Sequence, residues 1–322
     1  MKSNTPVISV IITAYNVAPF LREAVDSALA QTYRDIEIIV VDDGSTDGSA
    51  ETLSDLDDPR LRLVRQEHSG SAAARNAGLR LASRHLVAFL DADDRWAPQN
   101  LERQVAFLES HPEVDLTFSH SLVIDEEGRA LGKICSRSGT VSLRELFRSN
   151  VIGNGSCVVV RRGALDQAGW FNPTLLACVD IDAWMRVAAL RSGNIVALPE
   201  LLTFYRRRRG QISSDWRRME SGFLVLLENV RKLAPREVAC EEKRSRAGRY
   251  RYYALLAREA NDPATAARLL ATAFRWAPLW LLADSRTWLN GLLILAQLIL
   301  PRPVYRWTVR WKQRLSGPLF SG

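Results

Sequence analysis

Residues 36–49 read Ile-Glu-Ile-Ile-Val-Val-Asp-Asp-Gly-Ser-Thr-Asp-Gly-Ser. A β-branched apolar run gives way at Asp42 to residues that favour turns, so a buried strand opens at its carboxyl end into a polar loop. The same arrangement recurs on both sides. Residues 7–13 (Val-Ile-Ser-Val-Ile-Ile-Thr) lead into Thr13-Ala14-Tyr15-Asn16. Residues 61–64 lead to Gly70-Ser71 and on to Arg75-Asn76, and residues 86–90 to Asp91-Ala92-Asp93-Asp94. Helical spacing fills the intervals. Pro19 opens one helix, in which Phe20, Leu21, Ala24, Val25, Ala28 and Leu29 recur; Ala72–Ala82 and Pro98–Ser110 fit two more. Alternating strands and helices with near-continuous apolar strands predict an α/β fold, a mostly parallel sheet covered on both faces.

Ligands of such sheets bind outside the carboxyl ends of the strands. The four polar clusters are therefore expected on one edge. Asp91 and Asp93 repel each other unless a cation or hydrogen-bond donors offset them, and oxygen ligands shared with a phosphate suit Mg²⁺ or Mn²⁺. Arg75, expected near a helix start, suits an anion. Taken singly, each motif reads as well as a solvated turn, a helix cap or a surface arginine. Together they describe a seat for a metal-bound nucleoside diphosphate.

The chain of 322 residues is 47% hydrophobic and 25% charged, which excludes wholesale disorder and a disulfide scaffold. Its cysteines, Cys135, Cys157, Cys178 and Cys240, form no CxxC pair and suit a reducing cytosol. The N-terminus lacks the long apolar stretch and cleavage site of a signal peptide. Residues 1–200 carry a net charge of −7 and residues 201–322 a net of +14. A basic C-terminal part points to an anionic partner. Nucleic acid fits poorly, because the first part is acidic and no nucleic-acid module is present.

Val-Ile-Ser-Val-Ile-Ile-Thr-Ala-Tyr-Asn (7–16), Ile-Val-Val-Asp-Asp-Gly-Ser-Thr-Asp-Gly-Ser (39–49), Ala-Arg-Asn-Ala-Gly (74–78) and Phe-Leu-Asp-Ala-Asp-Asp (89–94), in this order and spacing, resemble glycosyltransferase family 2. Gly169-Trp170-Phe171, the stretch Asp180–Arg186 and Tyr205-Arg206 with Gln211-Ile212-Ser213 extend the likeness over about residues 6–215. The resemblance implies a GT-A fold and a metal-dependent, inverting transfer from a UDP- or dTDP-sugar to a hydroxyl of a glycan or glycolipid, in surface polysaccharide assembly. It implies that Thr13, Tyr15 and Asp43 or Asp42 hold the nucleoside, that Arg75 contacts the base or diphosphate, that Asp91 lies by the ribose and that Asp93 ligates Mn²⁺ or Mg²⁺. Asp180 matches the family's general base, with Asp182 as its rival. Where the family commonly has an acidic residue just before that aspartate, this chain has Val179. A catalytically silent nucleotide-sugar-binding scaffold is the alternative function.

Several features remain open between two readings. Trp184, one turn beyond Asp180, reads as core or as a sugar platform. Asn154-Gly155-Ser156 reads as a turn or as part of an acceptor pocket. The four histidines show no ligand spacing and read as structural or surface. Arg206–Arg209 reads as a solvated charge run or as a grip on phosphate.

The expected organisation is a domain of residues 1–215 and a basic, mainly helical region of residues 216–322. Further strands are expected at 114–125, 151–162 and 195–204, and helices at 180–192, 249–260, 263–276 and 288–300. Tyr252, Leu255 and Leu256 would meet Ala266, Leu269 and Leu270. The apolar stretch 288–300 falls short of the ~20 residues that span a bilayer. With the arginines and aromatics of 301–315 it reads as a helix, 288–315, lying on an anionic membrane, or as a closing helix with a basic outer face. The protein is expected in the cytoplasm, peripheral to the inner face of the cell membrane.

Overall fold

The structure is a computed structural model, and it describes residues 8–133, 137–208 and 210–300. The described chain forms two compact units. The first runs to Leu146 and resumes from Asn150 to Arg208; the second takes Phe147–Ser149 and the helices beyond residue 209.

The strands are β1 (Ile8–Ala14), β2 (Ile36–Asp42), β3 (Leu61–Arg65), β4 (Leu86–Asp91), β5 (Arg95–Trp96), β6 (Leu116–Ile124), β7 (Ala130–Lys133), β8 (Gly139–Thr140), β9 (Val158–Arg161) and β10 (Ile195–Arg206). The first unit also carries helices α1 (Ala18–Leu29), α2 (Ser71–Leu81) and α3 (Asn100–Ser110), the first four residues of α4 (Leu143–Arg148), and α5 (Arg162–Ala168) and α6 (Val179–Leu190). Sheet order among the described residues is β3-β2-β1-β4-β9-β6-β10-β5. β3, β2, β1 and β4 are parallel, as their sequences lead one to expect. Beyond β4 the sheet turns mixed: β9 runs antiparallel between β4 and β6, while β6 and β10 are parallel. β9 fills the place between two strands that do not pair with each other.

Ile8, Val10, Ile12, Val40, Ala88 and Leu90 bury one sheet face with Leu21, Ala24 and Val25 of α1 and Leu101, Val105 and Leu108 of α3. On the other face α2 lies so close to β1 that a Cβ on Gly78 would sit 2.5 Å from Ile11 Cγ2. That contact leaves room for glycine alone.

The strand expected over 151–162 is confined to residues 158–161, preceded by a 3₁₀ turn at Gly155–Cys157. The helix expected from Pro98 begins at Asn100, where the side chain of Gln31 accepts from the Leu101 N–H.

The second unit is helical: α7 (Trp216–Leu233), α8 (Pro235–Glu259), α9 (Pro263–Trp276), α10 (Pro278–Leu282) and α11 (Ser285–Ile299). Its main cluster joins Tyr253, Ala254, Leu256 and Ala257 of α8 to Ala266 and Leu269 of α9 and Ile294 of α11. The expected pairing of these helices is present, but Tyr253, not Tyr252, is the fully buried tyrosine. α8 starts 14 residues earlier than its apolar spacing indicates, because Pro235–Gly248 is a mostly polar stretch without a strong apolar stripe.

Candidate active site

Strand register assembles the edge. Ala14 pairs with Asp42, Thr13 with Asp91, and Asp42 with Arg65, so the carboxyl ends of four strands finish in one row. The loops beyond them are tied to one another. α1 has no cap of its own; Val17 N–H donates to Ser49 Oγ and Ala18 N–H to Asp47 Oδ2, both in the loop after β2. Asn16 accepts from Thr46 N–H through Oδ1, and its own N–H donates to Ser45 Oγ. The Asp-Gly-Ser turn therefore works as a distant helix cap as well as a turn.

The two aspartates of that turn do different work. Asp42 is fully buried; its Oδ1 accepts from Ser45 N–H, and Arg65 Nε lies 3.0 Å from Oδ2 without hydrogen-bond alignment. It holds the turn from beneath and does not open toward a nucleoside. Asp43 organises the loop before α2, accepting from Gln66 Nε2 and Ser69 N–H at Oδ1 and from Gly70 N–H at Oδ2. His68 Nδ1 lies 2.9 Å from Asp43 Oδ2, and the His68 ring stacks on Tyr15 with centroids 3.9 Å apart. Tyr15 is 44% exposed, so its ring is open to a flat ligand. Sequence reading treats His68 as structural or surface; the structure places it beside Tyr15 and Asp43. No spacing rule links residue 68 to residue 15, and only the ring stacking in the folded chain reveals it.

Deeper in the row, Arg75 Nη2 donates to Asp91 Oδ1 at 2.6 Å. Arg75 lies in the second turn of α2, not at its N-terminus, and is buried. It acts as a fixed guanidinium rather than through the helix end. Burial works against its charge, and the carboxylates of Asp91, Asp180 and Asp93 outweigh that, raising its pKa. Its position is locked from the next residue: Asn76 donates to Phe171 C=O and accepts from Phe171 N–H. The Arg75 guanidinium also lies 5.5 Å from the Phe171 ring centroid.

Asp180 stands in the first turn of α6. Burial raises its pKa, and the Arg75 charge and the Ile181 N–H pull the other way. Asp182 is buried and bonds Arg186 at 2.7 Å, which anchors α6 to the Ala168 and Trp170 carbonyls. It is a structural ion pair and no rival to Asp180. Trp184 is 1% exposed and packs on Phe89 and Phe171. It belongs to the core and offers no platform to a sugar.

Asp93 accepts from Arg208 Nε at 2.7 Å. Arg206 is 2% exposed, not a solvated member of a charge run. Its N–H donates to Asp94 Oδ1, its Nε to the Asp93 carbonyl and its Nη1 to the Glu126 carbonyl. Arg209 lies outside the described residues. Ser156 braces the same turn from the other side, accepting from Asp91 N–H and donating to Asp94 Oδ2. A Cβ on Gly155 would come 3.2 Å from Arg75 Nη2, so this segment backs directly onto the Arg75–Asp91 pair. Burial, with the neighbouring Asp93 and Asp91 charges, pushes the Asp94 carboxyl well above the usual carboxylate range.

The model of glycosyl transferase family 2 matches residues 9–169, half of the chain and all four strand-end clusters. The chain belongs to this family. Among curated family relatives, an uncharacterized glycosyltransferase of Nostoc sp. is 33% identical over 62% of this chain and 64% of its own length. The putative teichuronic acid biosynthesis glycosyltransferase TuaG of Bacillus subtilis is 30% identical over 69% of this chain and 88% of its own. The Escherichia coli UDP-Glc:alpha-D-GlcNAc-diphosphoundecaprenol beta-1,3-glucosyltransferase WfaP is 29% identical over 65% and 80%. The fold resembles that of S. aureus TarS 1–349 solved with UDP-GlcNAc, at TM-score 0.59 and 20% identity over 84% of this chain and 82% of that one. It also resembles the mannosyltransferase PcManGT of Pyrobaculum calidifontis solved with GDP-Man and Mn²⁺, at TM-score 0.57 and 22% identity over 95% and 84%. The fold is the GT-A fold that the family resemblance implies.

Within this family 2 glycosyltransferase, no set of three or more His, Cys, Asp or Glu side chains among the described residues is arranged to hold a metal unaided. Mg²⁺ and Mn²⁺ need no such set when phosphate and water complete the coordination. The Asp91–Asp93 turn fits a cation that arrives with a diphosphate, provided that Arg208 yields its place on Asp93.

Proposed function

We propose that this glycosyltransferase moves a sugar with inversion from a UDP- or dTDP-sugar to a hydroxyl of a glycan or glycolipid. The observation that carries this reading is the buried Arg75 guanidinium, bonded to Asp91 and electrostatically coupled to Asp180. It supports a general-base role for Asp180 next to carboxylates that would hold the donor. Tyr15 would stack on the base, with Thr13 and Asp43 holding the nucleoside loop and Asp91 beside the ribose. Asp93 would hold Mn²⁺ or Mg²⁺. Bound there, the cation supplies Lewis-acid charge to the leaving diphosphate. Arg75 adds fixed positive charge at the same edge, pre-oriented because Phe171 and Asn76 hold it.

Asp180 accepts the proton of the acceptor hydroxyl. A carboxylate pushed up by burial is a better base than an exposed one. A single base opposite the leaving group gives one displacement and an inverted anomeric centre. Teichuronic acid biosynthesis in the name of TuaG and the diphosphoundecaprenol acceptor in that of WfaP support a surface-polysaccharide or lipid-linked acceptor; we infer that this chain meets it on the cytoplasmic face of the membrane.

Calorimetry with a panel of nucleoside diphosphates, with Mn²⁺ and again with EDTA, tests the donor site. Metal-dependent UDP or dTDP binding is expected, and no binding under either condition would shift the reading to a silent nucleotide-sugar-binding scaffold. That rival rests on Val179, which is buried and stands directly before Asp180 where the family commonly has an acidic residue. Donor turnover by the purified protein excludes it.

A further inference from the structure

α11 is built inside out. Its buried residues, at spacing 3-4, are Thr287, Asn290 and Ile294, two of them polar, and half-buried Gln297 continues the stripe. Its outward residues are Trp288, Leu289, Leu292, Leu295, Leu298 and Ile299, which are 41–69% exposed. A surface helix in water normally shows the reverse. The polar side is bonded inward: Asn290 Nδ2 donates to the Arg251 carbonyl, and Gln297 Nε2 to the Arg258 carbonyl and Asn261 Oδ1. The orientation is therefore set by specific bonds within the second unit. The neighbouring α10 adds Leu279, 82% exposed, and Leu282.

Such a patch marks a surface that meets something other than water. Three facts name the occupant. The 15 residues of α11 rise only ~22 Å, and no helix among the described residues is long and apolar enough to cross a membrane. The leucines therefore suit burial along a bilayer surface rather than through it. Second, the sequence past α11 carries Arg302, Arg306, Arg310, Lys312 and Arg314 with Tyr305, Trp307 and Trp311, and no Asp or Glu through residue 322. A sequence of cations and interfacial aromatics directly following an apolar helix matches an anionic leaflet; it matches a second copy of the same cationic chain poorly, since like charges repel. Third, the excess of +14 in residues 201–322 points to the same sign of partner.

We propose that the outward face of α10 and α11 docks on an anionic lipid bilayer, with α11 lying in the plane of the membrane. This goes beyond the transfer reaction and does not rest on it. It gives a physical reason for an acceptor carried on lipid.

Flotation of the full chain with vesicles tests it. Binding to phosphatidylglycerol-containing vesicles should exceed binding to pure phosphatidylcholine by about tenfold or more and weaken with salt. The triple variant Leu292→Ser, Leu295→Ser, Ile299→Ser should lose binding by at least about tenfold, with an unchanged far-UV spectrum and unchanged nucleotide binding. A wild-type chain that does not float with anionic vesicles overturns the proposal. So does a variant that floats as well as wild type, or a wild-type dimer that the triple substitution dissociates without any vesicle binding. The assay contains no sugar donor, so its failure leaves the donor site standing.

Discussion

Arg208 Nε donates to the Asp93 carboxylate at 2.7 Å, across 115 residues of sequence. The residue assigned to a cation is thus already partnered by one. Arg208→Gln should remove this competing charge from Asp93. A half-buried pair of this kind is worth about 1 kcal/mol, roughly fivefold in a dissociation constant. Titration of Mn²⁺ in the presence of saturating UDP should show tighter binding to the variant by about that factor. An unchanged affinity would mean that Arg208 does not compete for Asp93.

Asp180→Asn should lower transfer by about 10²–10⁴-fold while nucleotide binding persists, as removal of a general base does. Its pH dependence follows from burial. Protonation removes the base, so kcat/KM falls as pH drops through the Asp180 pKa, which burial sets above the ordinary carboxylate range. Arg75 opposes that rise. Arg75→Gln should therefore move the acid limb to higher pH, a shift visible in a pH–rate profile even if the overall rate falls.

Arg206→Ala removes a buried guanidinium that bonds three carbonyls, those of Asp93, Asp125 and Glu126, and reaches Glu23. Loss of one partner from a buried charged network typically costs about 3–5 kcal/mol. Urea unfolding of the variant should show a loss of that size, and Arg206→Lys a smaller one. A loss below about 1 kcal/mol would mean that the turn does not depend on this staple.

Gly44 has φ of +78°, and a Cβ there would lie 2.8 Å from the backbone nitrogen of His68. Gly44→Ala should destabilise the first unit by about 1–3 kcal/mol. It should also weaken nucleotide binding more than Gly48→Ala, since Gly48 shares the positive φ but has open space at its Cβ. Equal effects on binding from the two variants would detach the His68 loop from the nucleoside site.

Local sequence determined which segments form the first sheet and what chemistry lies at its edge. Residues 8–14, 36–42 and 86–91 are largely apolar over a strand's length and run into Tyr15-Asn16, Asp43-Gly44-Ser45 and Ala92-Asp93-Asp94, so strand and loop are written side by side. Asp180 at a helix start was legible for the same reason. Tertiary structure decided which polar residues are tools and which are struts. Asp42 and Asp43 are adjacent and look alike in sequence, yet one is sealed beneath the turn and the other holds the His68 loop. Arg206 stands in a run of four arginines and is almost wholly buried, because its partners Asp93 and Asp94 lie more than a hundred residues earlier. Trp184 went to the core because the fold brings Phe89 and Phe171 to it, whereas the Asp182–Arg186 pair lies one turn apart on a single helix. The outward leucines of α11 show the limit most plainly. Periodicity marks the two sides of a helix, but only the bonds of Asn290 and Gln297 settle which side faces water, since a buried polar side chain takes its partner wherever the fold supplies one.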